Sequence, residues 1–359
     1  MKVYSYSQRI VSTLLPEWSN QDAVLLSWPH EESDWKYMLE EVRSCFEKLA
    51  LAILSRERLL LVCPNVEELP PSLTLYLGKG LCVVEMPTND TWARDFGPLS
   101  LSDERGRMSL VDFGFNAWGM KFAACHDNMI CRRLASIPFL WEDNVSMSTK
   151  LNFFLEGGAI ETDGRRHILT TASCLFEPNR NPQMRAEEIA AEVAKSLGAE
   201  KLFVLEYGAL EGDDTDGHID TLARFCDEKT IAYVAPPDEA DSHYADLSKM
   251  QEELSGLLPY GYRLIPLPMA EPIYDRGGCR LPATYANFLI MNDAVLYPTY
   301  ASERDREAEA TLRLCFPGKE LIGVDCRTLI RQHGSLHCVT MQFPVGLLRQ
   351  DLPAVVKAL

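Results

Sequence analysis

The segment LHCVTMQFP, near the end of the chain, places Cys338 directly after His337. A cysteine attacks electrophilic carbon when another side chain takes its proton. The β-branched and aromatic residues of this segment predict an extended strand, in which successive side chains point to opposite faces. We therefore expect His337 to be structural and the proton partner of Cys338 to come from elsewhere. The alternative is that Cys338 is a buried thiol in the last core strand.

His218 is the strongest candidate for that partner because it lies in an unusually acidic segment, EGDDTDGHID. If this segment is extended, His218 and Asp220 share a face. Three earlier aspartates are expected only to shape the turn before them: Asp213, Asp214 and Asp216. The alternative is an exposed acidic loop in which His218 has no role.

Two further segments place carboxylates near strand ends, where α/β proteins often carry their chemistry. NDTWARDFGP follows a predicted strand and contains Trp92, Arg94 and Asp95. FFLEGGAI places Glu156 between an apolar run and two glycines, a position in which a carboxylate needs a partner. The alternatives are an Asp95 that pairs with Arg94 or caps a turn, a Trp92 in the core and a Glu156 at an exposed strand end.

A thiol, a histidine, several carboxylates and a tryptophan together suit a guanidinium substrate. Guanidinium is planar, permanently charged and carries N–H donors in a fork that carboxylates bind. Two aspartates would hold its carbon in front of sulfur, while a histidine protonates the departing ammonia and then activates water. This chemistry needs no metal or other cofactor. The cluster Cys125, His126, Asp127 and Cys131 lacks the second ligand pair of a zinc site.

Composition narrows the class of function further. The net charge of −17 disfavours a nucleic-acid partner, which requires a basic face, and suits a small cationic substrate. The chain has no signal-like start and no apolar run of about 18 residues, so we expect a cytoplasmic protein with no membrane partner. Eleven scattered cysteines indicate no disulfide framework. A homodimer is a possible assembly on which the sequence does not decide.

Short strand-like runs alternate with helical stretches, which predicts the α/β class. The expected strands are residues 23–28, 58–63, 81–86, 151–156, 201–206, 230–235, 287–292 and 320–325. The expected helices are residues 38–55, 185–199 and 305–316. The loops that carry the candidate residues fall roughly 60 to 120 residues apart, which fits a circular arrangement of βαβ-type units. No linker marks a domain boundary.

Six ordered segments resemble the family of agmatine deiminases and Porphyromonas-type peptidylarginine deiminases, in the guanidine-modifying superfamily. They are NDTWARDFGP, LEGGAI, CLFEPNRNP, DGHID, YANFLIMND and LHCVTMQFP. The resemblance extends from SWPHEESDW to Pro344. It implies a five-bladed pseudosymmetric α/β propeller, the pentein fold, as a single catalytic domain over residues 1–359 with the active site on its central axis.

The same resemblance implies a role for each candidate residue. Cys338 matches the nucleophile, His218 the general acid and base, and Glu156 the carboxylate that supports this histidine. Asp95 and Asp220 match the pair that binds guanidinium, and Trp92 matches a pocket residue. The chain departs from the family in one loop, where QHGS (332–335) replaces the common GGGN ahead of the nucleophile. Gly334 is expected to supply a turn with positive φ there.

The implied reaction converts agmatine and water to N-carbamoylputrescine and ammonia. Agmatine is the expected substrate because an arginine α-carboxylate needs a basic partner, and the motif segments offer only Arg94 and Arg180. Deimination of arginine or peptidyl arginine, amidino transfer to an amine, and non-catalytic binding of guanidinium remain alternatives. A papain-type protease is disfavoured, because its cysteine precedes its histidine in the sequence.

Overall fold

The computed structural model describes residues 1–7 and 11–358, and their strands form five separate sheets. Two sheets have four strands, which in spatial order are Lys2–Ser5, Lys201–Leu205, His167–Thr171 and Glu161–Thr162 in one, and Ser12–Leu14, Leu99–Asp103, Met108–Gly114 and Ser146–Phe154 in the other. Two sheets have three strands: Ala223–Phe225, Thr230–Val234 and Arg263–Leu267 in one, and Leu289–Ile290, Ala294–Thr299 and Glu320–Asp325 in the other. The remaining sheet has five strands: Met341–Pro344, Gln21–Ser27, Arg58–Cys63, Leu81–Glu85 and Val355–Lys357. The chain is therefore of the mixed α/β class.

Each sheet contains the same unit of three strands, in which a middle strand pairs antiparallel on one side and parallel on the other. The middle strands are Gln21–Ser27, Met108–Gly114, His167–Thr171, Thr230–Val234 and Ala294–Thr299. Parallel neighbours cannot be joined by a tight turn, so helical segments cross between them. The unit around Gln21–Ser27 takes its antiparallel strand from Met341–Pro344, so it joins segments from both ends of the chain.

Four α-helices of three or more turns occupy such crossovers: Leu39–Leu54, Ala186–Leu197, Tyr244–Ser255 and Arg304–Cys315. Shorter α-helices are Pro71–Thr74, Ala93–Phe96, Ile130–Ala135 and Ala172–Leu175, and Ala117–Met120 is an irregular helical turn. The 3₁₀ helices are Asp34–Met38, Val66–Glu68, Asp127–Met129, Pro138–Leu140, Gly157–Ala159, Ile219–Thr221, Leu258–Tyr260 and Leu329–Gln332. None of the helices in the described part of the chain has both the length and the apolar character needed to cross a bilayer.

Apolar periodicity explains why these elements form. In Leu39–Leu54 the buried residues include Val42, Phe46, Leu49 and Ile53, which recur at the helical spacing of three or four. All seven residues of Gln21–Ser27 are buried, as is typical of a strand covered on both faces. The core is therefore layered, with helices over the sheets, and the loops at the strand ends remain free to form a site.

The three helices predicted from the sequence are confirmed, with boundaries within one or two residues. Most of the predicted strands are confirmed too, and two differ in extent. The predicted strand 151–156 is the end of a longer strand, Ser146–Phe154, and the predicted strand 287–292 is reduced to Leu289–Ile290. Asn287, which lies within the predicted strand but outside the observed one, accepts the backbone N–H of His337 with its side-chain oxygen.

Two predictions of extended backbone were wrong. Residues 336–339, which include His337 and Cys338, form a turn, and the strand begins only at Met341. His218 directly precedes the 3₁₀ helix Ile219–Thr221, so His218 and Asp220 do not share the face of a strand. In both cases polar side chains nearby bind the backbone N–H groups that a strand would have used in its ladder.

Gly198 ends the helix Ala186–Leu197 with φ of +68°, and a Cβ there would lie 2.0 Å from the carbonyl oxygen of Ser12. We expect Gly198→Ala to lower the free energy of unfolding by about 2 to 4 kcal/mol, because strain and a backbone clash add. Gly106→Ala is the matched control, since Gly106 has φ of +73° and open space around it, and should cost only about 1 to 2 kcal/mol. Urea denaturation measures both. Equal losses would contradict the contact with Ser12.

Candidate active site

Asn287 fixes the loop that carries Cys338. Its Oδ1 accepts the backbone N–H groups of His337 and Cys338 at 2.9 and 3.3 Å, and lies 3.4 Å from the Cys338 Sγ. The same sulfur is 3.7 Å from Oδ2 of Asp220. The thiol is buried yet lines a pocket, so a small molecule in that pocket would meet it.

Asp95 lies in the short helix Ala93–Phe96 and is buried. Its Oδ1 accepts the backbone N–H of Gly158 at 3.1 Å, and its Oδ2 accepts the indole N–H of Trp118 at 3.0 Å. Asp95 therefore does not pair with Arg94, whose guanidinium instead contacts Glu17 at 3.5 Å. The alternative of a local ion pair is wrong for this residue.

The two glycines of LEGGAI let three functional groups converge. A Cβ on Gly158 would lie 2.6 Å from Nδ1 of His218, 2.8 Å from Oδ1 of Asp95 and 3.2 Å from Oδ2 of Asp220. A Cβ on Gly157 would lie 2.2 Å from the Arg94 carbonyl oxygen. No other residue type leaves that space, so the glycines are required by close approach of side chains and not by positive φ.

His218 is fully buried, and neither ring nitrogen has a hydrogen-bond partner. Its Nδ1 lies 3.6 Å from Oδ1 of Asp95. Burial acts to lower the pKa of His218, but the neighbouring Asp95, Cys174 and Glu156 side chains outweigh it, so the pKa lies well above its ordinary value. An imidazolium with an uncommitted N–H is ready to donate a proton to a bound molecule.

The two aspartates differ in their surroundings. The pKa of Asp95 is raised to about 6, mainly by burial; the charge of His218 opposes this rise, and the charges of Asp220 and Glu156 add to it. Burial also acts to raise the pKa of Asp220, but a 2.7 Å hydrogen bond from His337 outweighs it, so that pKa lies below its ordinary value. Oδ1 of Asp220 has no hydrogen-bond partner. A buried acceptor without a donor indicates a place for a ligand N–H.

Burial, together with the charges of Asp220 and Asp95, raises the pKa of Cys338 well above its ordinary value. The sulfur is therefore a thiol in the unliganded protein. A cation bound between the aspartates would cancel their effect and favour the thiolate, which is the nucleophilic form.

Glu156 is buried and not an exposed strand end. Both of its carboxylate oxygens accept from Nε of Arg180, at 2.9 and 3.0 Å, and Arg180 also donates to Asp216 at 2.8 Å. Glu156, Cys174 and His218 place one polar atom each within 4.8 Å of one another. Glu156 thus lies close enough to act on the charge of His218, while its hydrogen bonds go to Arg180.

A partly open pocket lies beside these groups, and Asp95 and Cys338 are part of its lining. Indole and phenyl rings form its walls, from Trp92, Trp118 and Phe122, and three further carboxylates lie along it, from Asp34, Asp90 and Asp214. Among the described residues that line this pocket there is no lysine or arginine. It therefore suits a molecule with an apolar middle and positive ends.

An unusual backbone conformation positions Trp118. Residues 117–120 all have positive φ, at 50°, 56°, 84° and 67°, which forms a left-handed turn. Side chains other than glycine pay strain in that region, and such strain is concentrated at functional sites. The Asn116 side chain caps the turn by accepting the Gly119 N–H at 3.0 Å. The turn aims the Trp118 indole at Asp95.

The QHGS loop differs from the sequence prediction. Gly334 does not have positive φ; His333 does, at 66°. Glycine is required at 334 because a Cβ there would lie 2.1 Å from the Trp92 ring. A carbonyl oxygen only accepts, so His333 donates its Nδ1–H to the Gly212 carbonyl oxygen at 2.6 Å. This hydrogen bond connects the QHGS loop to the acidic segment.

The sequence analysis missed several residues of the site. Asp214 was expected only to shape a turn, yet it lines the pocket, and Asp216 pairs with Arg180 and Lys121. Asp213 does shape the turn, since it accepts N–H groups of Thr215 and Gly217. Asn287 lies inside the quoted segment YANFLIMND, so that segment was the available signal for it. Nothing in the sequence pattern indicated Glu17 or Trp118.

The comparisons with known proteins agree with this geometry. A model of the Porphyromonas-type peptidyl-arginine deiminase family matches residues 13–344. The chain therefore belongs to this family of guanidine-modifying deiminases.

Three relatives span nearly the whole chain. Agmatine deiminase from Stutzerimonas stutzeri is 29% identical over 358 residues, which cover 93% of this chain and 95% of the relative. A cysteine-to-serine variant of C. jejuni agmatine deiminase with substrate bound is 37% identical, with a TM-score of 0.87 over 95% of this chain and 99% of that one. A structure from Porphyromonas gingivalis, provisionally named an arginine deiminase, is 54% identical, with a TM-score of 0.88 over 94% and 100%.

The Trp118–Asp95 hydrogen bond generates a prediction about pH. kcat/KM for a cationic substrate should fall as the pH drops through about 6, where Asp95 takes up a proton. Trp118→Phe removes a donor that favours the ionised carboxylate, so the acid limb should move up by about 0.5 to 1 pH unit. Trp141→Phe is the matched control, because the Trp141 indole donates to the Leu134 carbonyl at 2.8 Å. An acid limb unchanged in Trp118→Phe would contradict the role of this bond.

Proposed function

We propose that this protein is an agmatine deiminase, which hydrolyses agmatine to N-carbamoylputrescine and ammonia through a covalent intermediate on Cys338. One observation carries the proposal. Asp95, Asp220, His218 and Cys338 converge beside a pocket that Asp95 and Cys338 line, and the described residues of that lining include no lysine or arginine. The relatives from Stutzerimonas stutzeri and C. jejuni are named agmatine deiminases, which supports the same proposal.

The guanidinium group binds between the two aspartates. Its fork of N–H donors reaches the free Oδ1 of Asp220 and the carboxylate of Asp95, and its central carbon faces the Cys338 sulfur. The buried carboxylates lack a cation of their own on the side of the pocket, so the substrate charge offsets their desolvation. The Trp92 and Trp118 rings pack against the methylene chain.

Substrate binding then activates the nucleophile. The guanidinium charge offsets the negative charges that raise the pKa of Cys338, so the thiol releases its proton to solvent and the thiolate attacks the guanidinium carbon. His218 donates its proton to the departing nitrogen, which leaves as ammonia, and the remaining amidino group stays bonded to sulfur as a thiouronium.

The second half of the reaction uses the same histidine as a base. His218, now neutral, takes a proton from water, whose oxygen attacks the thiouronium carbon. The carbon–sulfur bond breaks, the hydroxyl proton of the adduct passes to the departing sulfur, and the ureido product leaves with the Cys338 thiol and the protonated His218 regenerated. We propose that Glu156 supports the protonated state of His218 by its charge, since it lies within 4.8 Å but gives its hydrogen bonds to Arg180.

Agmatine is preferred to arginine because of the pocket charges. Asp34 and Asp214 offer carboxylates for the distal ammonium, whereas Asp90 is hydrogen-bonded to the Trp92 indole at 3.1 Å. Arg94 and Arg180 are buried in ion pairs with Glu17 and Glu156, so neither is available to an α-carboxylate. The name of the Porphyromonas gingivalis relative makes arginine the second candidate.

We further propose that the five sheets are the blades of a five-bladed pseudosymmetric propeller and that residues 1–359 form one catalytic domain. The repeated three-strand unit supports this arrangement, as does the pairing of Met341–Pro344 with Gln21–Ser27, which joins the two ends of the chain. A cytoplasmic location fits a small intracellular metabolite as substrate. A homodimer is an assembly to test by its mass in solution.

Cys338→Ala should abolish turnover and leave the fold intact, because the described structure places no second thiol against both aspartates. Cys82→Ala, in a buried strand away from the pocket, is the matched control and should retain activity. 2-Chloroacetamidine should alkylate Cys338, while neutral iodoacetamide should alkylate the exposed Cys125 and Cys279. Peptide mass spectrometry that finds the amidine mainly on another cysteine would overturn the assignment.

The second prediction concerns the substrate. kcat/KM should be highest for agmatine, lower for free arginine and lowest for a blocked arginyl peptide. Asp214→Asn should reduce kcat/KM for agmatine about 10-fold by removing a charge from the distal end. Butylguanidine is the matched control, because it lacks the distal amine and should lose much less in this variant.

An arginine value equal to that of agmatine would overturn the substrate while leaving the deiminase chemistry in place. Equal losses for agmatine and butylguanidine in Asp214→Asn would show that Asp214 does not contact the distal amine. Release of ammonia is the measurement in every case.

A further inference from the structure

His337, the histidine beside the nucleophile, lies between two carboxylates. Its Nδ1 is 2.7 Å from Oδ2 of Asp220, and its Nε2 is 2.7 Å from Oε2 of Glu17. All three side chains are buried. Ionised carboxylates only accept hydrogen bonds, so a ring between two of them can donate from both nitrogens only as an imidazolium.

Glu17 is the outer end of this row of groups. Its Oε2 also accepts from Nη2 of Arg224 at 2.9 Å, and its Oε1 accepts the backbone N–H of Ile290 at 2.7 Å. Burial acts to raise the pKa of Glu17, but the charges of Arg224, His337 and Arg94 outweigh it and hold the pKa well below its ordinary value. Glu17 therefore presents a fixed negative charge to His337.

Asp220 is the inner end. Its Oδ2 receives the His337 N–H and lies 3.7 Å from the Cys338 sulfur, while its Oδ1 has no partner. The imidazolium thus occupies one oxygen and leaves the other free. A carboxylate held by one oxygen cannot rotate without breaking a charge-assisted hydrogen bond, so its free oxygen keeps one direction.

We propose that Glu17, His337 and Asp220 form a positioning chain, in which Glu17 keeps His337 charged and His337 keeps Asp220 ionised and oriented for guanidinium. Glu17 contacts His337, His337 contacts Asp220, and Asp220 lies 3.7 Å from the Cys338 sulfur, so Glu17 and His337 are positioning residues that act through Asp220. The inference rests on the proposed function only in taking guanidinium as the ligand of Asp220. The other charged or titratable groups that face this chain are Arg94, Asp95, Glu161, His218, Arg224 and Cys338.

A purely structural role for His337 predicts a different result from the positioning role. If His337 only packs, its replacement lowers activity to the same extent at every pH. If it keeps Asp220 ionised, its replacement lets Asp220 take up a proton more readily, because the His337 hydrogen bond opposes the effect of burial on the pKa of Asp220. The loss of activity should then be greatest at low pH and shrink as the pH rises.

His337→Gln tests this difference with the full-length enzyme and the guanidine substrate that the wild type turns over fastest. We expect kcat/KM to fall about 10- to 100-fold at neutral pH, with an acid limb moved to higher pH and partial recovery in alkali. His167→Gln is the matched control, because His167 also bonds a buried carboxylate, Asp163, at 3.0 Å, far from the pocket lining. It should leave the acid limb unchanged. A pH-independent loss in His337→Gln, or no loss, would overturn the proposal.

A second measurement keeps the proposal testable if His337→Gln does not fold. In an NMR spectrum of wild-type protein labelled with ¹⁵N-histidine, both ring nitrogens of His337 should carry protons at neutral pH. The His337 signals can be assigned by their loss in a His337 variant or by their contact with Glu17. Glu17→Gln keeps an acceptor but removes the charge, so it should reduce the imidazolium population and raise KM more than it lowers kcat.

A neutral His337 ring in the wild type would overturn the positioning chain whatever the enzyme turns over. Conversely, a wild type that released ammonia from no guanidine would overturn the proposed function, while the state of the His337 ring would still report on the chain. The two failures are therefore distinguishable.

Discussion

Two buried carboxylates, Asp95 and Asp220, lie close to each other beside Cys338, and the rest of the site depends on how their charges are held there. Two buried carboxylates that lie close together repel each other, which favours protonation and raises a pKa. The pKa of Asp95 is raised in this way. His337 prevents the same shift at Asp220. In the mechanism that we propose, the site receives a cation from outside, and the same charges keep Cys338 protonated until that cation arrives.

The fold brings short segments from distant parts of the chain together at this site. Gly158 comes from one 3₁₀ helix, Asp95 from a short α-helix, and His218 and Asp220 from the start of another 3₁₀ helix. Their contacts are so close that a single methyl group on Gly158 would displace them. The three-strand unit repeated in each sheet provides the frame, and irregular segments such as the left-handed turn at 117–120 orient individual side chains.

Much of this arrangement could be predicted from the sequence, because buried strands and amphipathic helices leave periodic patterns. The helix Leu39–Leu54 and the strand Arg58–Cys63 were predicted for that reason. The types of the candidate residues also indicated the chemistry of a guanidinium site. The roles of those residues, in contrast, came from the resemblance to the family and remain proposals.

The remainder depends on contacts between residues far apart in the sequence, which no local pattern reveals. Glu17 meets His337 across 320 positions, and a glutamate in a short loop has no periodicity to indicate burial. The extended backbone predicted around Cys338 was wrong because Asn287 draws the N–H groups of that loop out of any ladder. Asp214 appeared to belong to a turn because its neighbours do, and only the folded chain places it on the pocket wall.

The orientation of the substrate on the pocket floor is the central claim, and a crystal structure of the Cys338→Ala variant with agmatine tests it most directly. The account predicts the guanidinium between Asp95 and Asp220, with its carbon facing residue 338 and the distal ammonium toward Asp214. Agmatine bound in the reverse direction, with its ammonium on the floor and its guanidinium at the mouth, would contradict the account.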